Sequence, residues 1–183
     1  MNARFKSTLL RRSTVISAAV AVVLTPLTSL SQATAAPSGT PRPAQADAAA
    51  VGEITTFADK CLMVANRDPS DGARIVQYRC EGDPTQHFTL VPIGGGIFEI
   101  KTFADKCLTV ANRDPGNGAA IVQSRCQGDR IQRFTLVPVD AGKYEIKTFA
   151  DKCLTVANRD PSNGAVIVQS RCQGDPIQRF TIG

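Results

Sequence analysis

The sequence predicts an all-β domain: twelve short strands, four from each of three repeats closed about a pseudo-threefold axis. Three observations predict it. Glu53–Thr89, Glu99–Thr135 and Glu145–Thr181 align without a gap at a spacing of 46 residues. Copies two and three differ at three of those 37 positions, and copies one and two at ten. Each copy carries two cysteines 19 residues apart, and its apolar runs are short and bounded by Asn, Asp, Gly and Pro. Outside the N-terminal leader, no stretch has the 3.6-residue stripe of an amphipathic helix.

Residues 1–35 read as a secretory signal peptide. Arg4, Lys6, Arg11 and Arg12 precede an apolar stretch from Val15 to Leu27, and Ala33-Thr34-Ala35 supplies an A-x-A cleavage site. The apolar stretch is shorter than the ~20 residues a span needs, so no membrane span is expected. Arg11-Arg12 raises twin-arginine export beside the general secretory route, although Ser13-Thr14-Val15 fits that motif poorly. Either route makes the mature protein secreted, hence extracellular. Residues 36–52, rich in Pro and Ala with Val51 as the one large apolar side chain, read as a flexible linker. Residues 53–183 then suit one domain.

The formal charge of +5 and the isoelectric point near 9.0 owe much to the leader. Without its four basic residues the chain carries 17 Lys and Arg against 16 Asp and Glu, so nucleic acid is not an expected partner.

The second copy shows the elements of one unit. Phe98 to Phe103 has strand composition, and Ala104-Asp105-Lys106 makes a tight turn. Cys107–Val110 is a second strand, followed by a loop of turn residues from Asn112 to Gly118. Ala120–Cys126 is the third strand, Gln127-Gly128-Asp129 a turn, and Gln132–Val137 the fourth strand. Proline falls only at strand ends and turns, as ladder hydrogen bonding requires. Three copies without atypical caps favour a closed, barrel-like body over a solenoid.

Six cysteines in an exported chain suggest disulfides, with 15 pairings open in principle. Near-identical units should pair within themselves, which favours Cys61–Cys80, Cys107–Cys126 and Cys153–Cys172, each contributing about 3 kcal/mol. Zinc is the competing reading. With no C-x-x-C pair and His87 the one histidine, neither a metal nor a cofactor is expected.

Each unit reads K-C-L-x-V, then an Asn/Asp/Gly loop, an apolar strand to Cys, and C-x-G-D-x-x-Q-x-F. This resembles the ricin B-chain type lectin repeat, with its C-L-D-V strand, cysteine pair and closing Q-x-W, over residues 53–183. The resemblance implies a β-trefoil with a shallow carbohydrate pocket per lobe. It also implies galactose-like sugars or polysaccharides such as xylan as partners. Family pockets use an Asp two residues after the first Cys, a place taken here by Met63, Thr109 and Thr155. The stacking aromatic two residues before the second Cys is Tyr78 in copy one and Ser124 and Ser170 in the others. Thr85, Ile131 and Ile177 precede the motif glutamines, and Phe88, Phe134 and Phe180 replace Trp. The candidate sugar contacts are Tyr78, Asp71 and Gln86 in copy one, Thr109, Asn117 and Gln132 in copy two, and Thr155, Asn163 and Gln178 in copy three. A hydrogen bond to a charged group contributes about 1.5–3 kcal/mol against about 0.5–1.5 for a neutral one, so losing the Asp predicts weak sites. Avidity on a polymer would offset that weakness.

Two further triplets recur. Phe57, Phe103 and Phe149 each stand two residues before Asp59, Asp105 and Asp151. These read first as turn-stabilising aspartates with rings covering the barrel mouth, and second as an aromatic face beside a carboxylate suited to a glycan edge. Asn66-Arg67-Asp68, Asn112-Arg113-Asp114 and Asn158-Arg159-Asp160 offer either an acidic-ligand site or a plain Asx-turn before Pro. The expected function is a secreted, non-catalytic, lectin-like protein binding glycans or polysaccharides weakly and multivalently. The alternative is a protein-binding module, such as an inhibitor of an extracellular hydrolase, whose contact lobe Met63, Arg74, Tyr78 and His87 would mark. An enzyme is not expected: no nucleophile-and-base constellation or G-x-S-x-G stands in the chain.

Overall fold

The computed structural model describes residues 49–140 and 142–183. The expected leader, and the linker as far as residue 48, lie outside the described residues. The first lobe holds β1 Ala50–Thr55, β2 Lys60–Val64, β3 Ile75–Arg79 and β4 His87–Gly94. The second holds β5 Ile97–Lys101, β6 Cys107–Val110, β7 Ile121–Ser124 and β8 Phe134–Asp140. The third holds β9 Lys143–Lys147, β10 Lys152–Val156, β11 Ile167–Arg171 and β12 Phe180–Ile182. Between them lie six three-residue 3-10 turns.

The outer strands of the three lobes close on themselves. β1 pairs with β4, β4 with β5, β5 with β8, β8 with β9, β9 with β12, and β12 again with β1. A six-stranded ring of antiparallel pairs leaves no open edge along that circuit. The hairpins β2–β3, β6–β7 and β10–β11 cap one end, tied together by the bridges Arg74↔Val122, Ala120↔Val168 and Val76↔Val166. This is the β-trefoil arrangement that the resemblance implies.

β1 begins at Ala50, inside the stretch expected to be linker, because Ala50, Val51 and Gly52 lie opposite Leu90, Thr89 and Phe88 of β4. A strand on a closed ring needs backbone pairing more than apolar side chains. Gly52 stands where the other lobes have Phe98 and Tyr144, since a Cβ there would meet the Gly183 carbonyl oxygen at 1.6 Å.

The core repeats with the sequence. Ile54, Ile100 and Ile146, then Leu62, Leu108 and Leu154, Val64, Val110 and Val156, Ile75, Ile121 and Ile167 are all buried. Phe88, Phe134 and Phe180 fill the interior where the family has Trp. Three disulfides join Cys61–Cys80, Cys107–Cys126 and Cys153–Cys172, with Cα atoms 5.0, 4.9 and 5.0 Å apart. Each ties the first strand of a capping hairpin to the turn after the second. The tight turn before each first cysteine needs one left-handed residue, and Asp59, Asp105 and Asp151 take φ of 53°, 55° and 54°. Asp tolerates that region better than most residues.

Candidate functional site

The structure places the expected sugar contacts mostly inside the lobes' own hydrogen-bond networks. Gln86, Gln132 and Gln178 are at most 2% exposed. Their Oε1 atoms accept the backbone N–H of Glu81, Gln127 and Gln173 at 2.8 Å. Their Nε2 atoms donate to the carbonyls of Arg79, Arg125 and Arg171 at 2.7–2.8 Å. In lobes two and three Nε2 also donates to the hydroxyls of Thr109 and Thr155 at 3.0 Å. Those hydroxyls in turn donate to the carbonyls of Cys107 and Cys153 at 2.9 Å. The closing glutamine therefore braces the loop carrying the second cysteine, and in two lobes a threonine fills the acceptor's place and bonds to it.

Asp71, Asn117 and Asn163 act between lobes. Each Oδ1 accepts a backbone N–H of the neighbouring lobe, from Arg125, Arg171 and Arg79, at 3.0 Å. Asp71 also takes a 2.7 Å bond from Lys106 Nζ. Of the expected contacts, Tyr78 stands apart, half-buried on β3 opposite Cys61 and with no hydrogen-bond partner among the described residues.

A second ring was not foreseen from sequence. Gln77, Gln123 and Gln169 are 0% exposed. Their Nε2 atoms donate across lobe boundaries to the carbonyls of Asp160 and Ser162, Asp68 and Ser70, and Asp114 and Gly116 at 2.8–3.0 Å. The signal was present, since a glutamine recurs in the middle of each apolar Ile-Val-Gln strand. A buried amide needs partners, and the three Nε2 groups find theirs in another lobe. The Gln77 and Gln123 oxygens accept from Thr56 and Thr102 of their own lobes, and the Gln169 oxygen has no partner among the described residues.

The arginine loops resolve toward structure. Asp68, Asp114 and Asp160 make Asx-turns to the N–H of Ser70, Gly116 and Ser162. Arg67, Arg113 and Arg159 take left-handed φ of 53°, 55° and 56° and pair with Asp83, Asp129 and Asp175. Arg67 and the Thr85 hydroxyl and N–H together hold the Asp83 carboxyl well below the usual carboxylate range. The Arg113 guanidinium does the same, less strongly, for Asp129. An acidic ligand would compete with an intramolecular carboxylate at each loop. Two carboxylate–sulfur groupings, Glu53 with Cys61 and Cys80 and Glu145 with Cys153 and Cys172, offer no thiolate to a metal, because the sulfurs are bonded in pairs.

Surface concavity lies instead at the junctions between lobes. A cleft of about 570 Å³ between lobes one and two is lined by Val51, Pro84, His87, Thr89, Val91, Lys101, Thr102, Phe103 and Asp105. A cleft of about 250 Å³ between lobes three and one is lined by Thr55, Thr56, Phe57, Asp59, Lys143, Pro176, Arg179 and Thr181. Every residue of the second is the repeat counterpart of one in the first: Pro176 of Pro84, Arg179 of His87, Lys143 of Val51, Phe57 of Phe103 and Asp59 of Asp105 among them. The wall is rigid, because Thr102 and Thr56 donate their hydroxyls to the buried Gln123 and Gln77 at 2.8 Å. In the first cleft Lys101 bonds Asp105 at 3.0 Å, whereas Thr55 stands in the place of that lysine beside Asp59. At the junction of lobes two and three the proline's counterpart is Arg130, whose guanidinium carbon lies 5.1 Å from the Phe149 ring centroid. Such a cation–π contact contributes about 0.5–1 kcal/mol at a surface and covers the ring face.

The sequence profile described as the ricin-type beta-trefoil lectin domain matches residues 50–180. No curated protein matches the chain at a significant level. Among solved structures the chain is similar to ThreeFoil, a designed 3-fold symmetric protein. The two share 29% identity with a TM-score of 0.71, over 72% of this chain and 96% of that one. It is similar to the hemolytic lectin CEL-III at 26% identity and a TM-score of 0.61, over 72% of this chain and 29% of that one. It shares its fold with 1,3Gal43A, an exo-beta-1,3-galactanase from Clostridium thermocellum, at 23% identity and a TM-score of 0.71, over 74% of this chain and 30% of that one. In the last two the likeness is confined to a minor part of a longer chain.

Proposed function

This chain belongs to the ricin-type β-trefoil lectin domain family, and on that premise we propose that it is an exported, non-catalytic protein that binds glycans or polysaccharides. The observation that carries this reading is the extent of the match, residues 50–180, which takes in all three lobes. Each site is weak, because no lobe has a carboxylate two residues beyond its first cysteine. Affinity on a polymer comes from several attachments made by one rigid body, the second being intramolecular once the first has formed. The basic leader and its A-x-A site support export to the cell exterior.

The test is to express the chain with its own leader, recover it from the medium and titrate it with galactosides, xylan, chitin and arabinan by calorimetry. Micromolar-to-millimolar binding to at least one polymer, tighter than to its oligosaccharide, is the expected result. Flat isotherms throughout would sink the carbohydrate reading. An N-terminus at Ala36 is expected, and retention of the leader would refute export by cleavage.

A further inference from the structure

Four large apolar side chains are exposed among the described residues, and three of them, Val51 at 68%, Phe103 at 39% and Phe57 at 37%, line the two interlobe clefts. We propose that each of these two clefts binds one pyranose unit of a glycan, and that Arg130 occupies the equivalent place at the third junction. The proposal rests on the carbohydrate reading above and says where that binding occurs and how many places serve it.

A pyranose has one apolar face of C–H groups and an edge of hydroxyls, so it needs a flat aromatic surface with a few fixed polar groups beside it. Phe103 and Phe57 supply the surface. Asp105 and Asp59 follow two residues later, set by a turn whose left-handed residue is the aspartate itself. Facing them from the neighbouring lobe stand His87 with Thr89 in one cleft and, in the other, Thr181 with Arg179, whose guanidinium also donates to Asp140 Oδ2 at 2.8 Å and the Gly174 carbonyl at 2.9 Å. The positions expected from the resemblance are, by contrast, largely taken up by internal bonds: Gln132 and Gln178 are saturated and Thr109 and Thr155 are buried.

Copies two and three differ at three aligned positions, and one of these is Arg130 against Pro176. The proline leaves the Phe57 ring open to solvent, while the arginine lies over Phe149. The two junctions also differ in Ile97 for Lys143 and Lys147 for Thr55, so an Arg130→Pro change isolates the part played by the arginine over the ring.

The test titrates the secreted chain with lactose, xylotetraose, chitotetraose and arabinotetraose, read by aromatic NMR shifts and calorimetric stoichiometry. The expected result is that the rings of Phe57 and Phe103 shift with one of these sugars, Phe149 does not, and two molecules bind. Phe57→Leu and Phe103→Leu, which keep apolar bulk, should each weaken one site about tenfold, and Arg130→Pro should raise the stoichiometry from two to three. Full binding in the Phe57→Leu/Phe103→Leu double variant would overturn the cleft assignment. If Tyr78→Ala then abolished binding, the carbohydrate reading would stand with its site moved to the first lobe's β3. An Arg130→Pro variant that gained no third site would overturn the role given to Arg130. A wild-type chain that bound none of these sugars or the parent polymers would overturn both.

Discussion

Asn117 of the second lobe accepts the backbone N–H of Arg171 in the third at 3.0 Å, and Asp71–Arg125 and Asn163–Arg79 repeat the bond at the other two junctions. These three contacts stitch each loop to the next lobe's third strand.

Removing one stitch should cost stability without changing the fold. Asn117→Ala is expected to lose about 0.5–1.5 kcal/mol, and Asn163→Ala the same, because the two sites are equivalent. Urea unfolding checks this, with an unchanged slope expected for an unchanged native surface. Asp71→Asn should be milder, since the amide oxygen still accepts from Arg125.

The buried glutamines should be more sensitive. Gln123→Leu leaves the carbonyls of Asp68 and Ser70 without their donor in the interior, at about 1–3 kcal/mol for each unsatisfied group. The thermal midpoint should fall further than in Asn117→Ala, and a smaller fall would argue that water replaces the lost amide.

Acid should weaken the protein through its paired carboxylates. The carboxyls of Asp83, Asp129 and Asp71 are held down by Arg67, Arg113 and Lys106, and those of Asp68 and Asp160 by the N–H of Ser70 and Ser162. A carboxyl with a depressed folded value contributes stability above its unfolded value, about 3.9, and loses it as pH falls toward the folded one. The denaturation midpoint should hold between about pH 7 and 5 and decline below about pH 4. Asp83→Asn should flatten that decline more than Asp129→Asn, because Asp83 is shifted furthest.

Each disulfide should carry a similar share. Replacing Cys107 and Cys126 by Ser is expected to cost about 2–5 kcal/mol, and the Cys153–Cys172 pair should match it. Denaturant melts of the two double variants test this. A large difference between them would mean that the lobes are not mechanically equivalent.

The ring of strands and the pairing of cysteines were legible because a 46-residue period constrains both at once: a pattern seen three times must fold one way three times. The roles of individual polar residues were not. Gln132 looks the same in sequence whether its amide faces a sugar or Arg125's carbonyl, and that choice is made by a loop folding back seven residues. Gln77 finds its partners in the third lobe, more than 80 residues away. The clefts were half visible: Phe103 and Asp105 stood out as a pair, but Pro84 and His87 reach them only through the β4–β5 pairing.

Because β1 is clasped between β4 and β12, with Gly183 N donating to the Glu53 carbonyl at 3.1 Å, the first and last strands of the ring are immediate neighbours. A short peptide joining residue 183 to residue 49 would therefore reach without distortion. The chain could then be opened at the Gly94-Gly95-Gly96 hairpin, giving a circular permutant with every strand pair intact. Cargo fused at that new opening would emerge from a different corner of the triangle, which offers a way to turn a displayed partner relative to a bound surface.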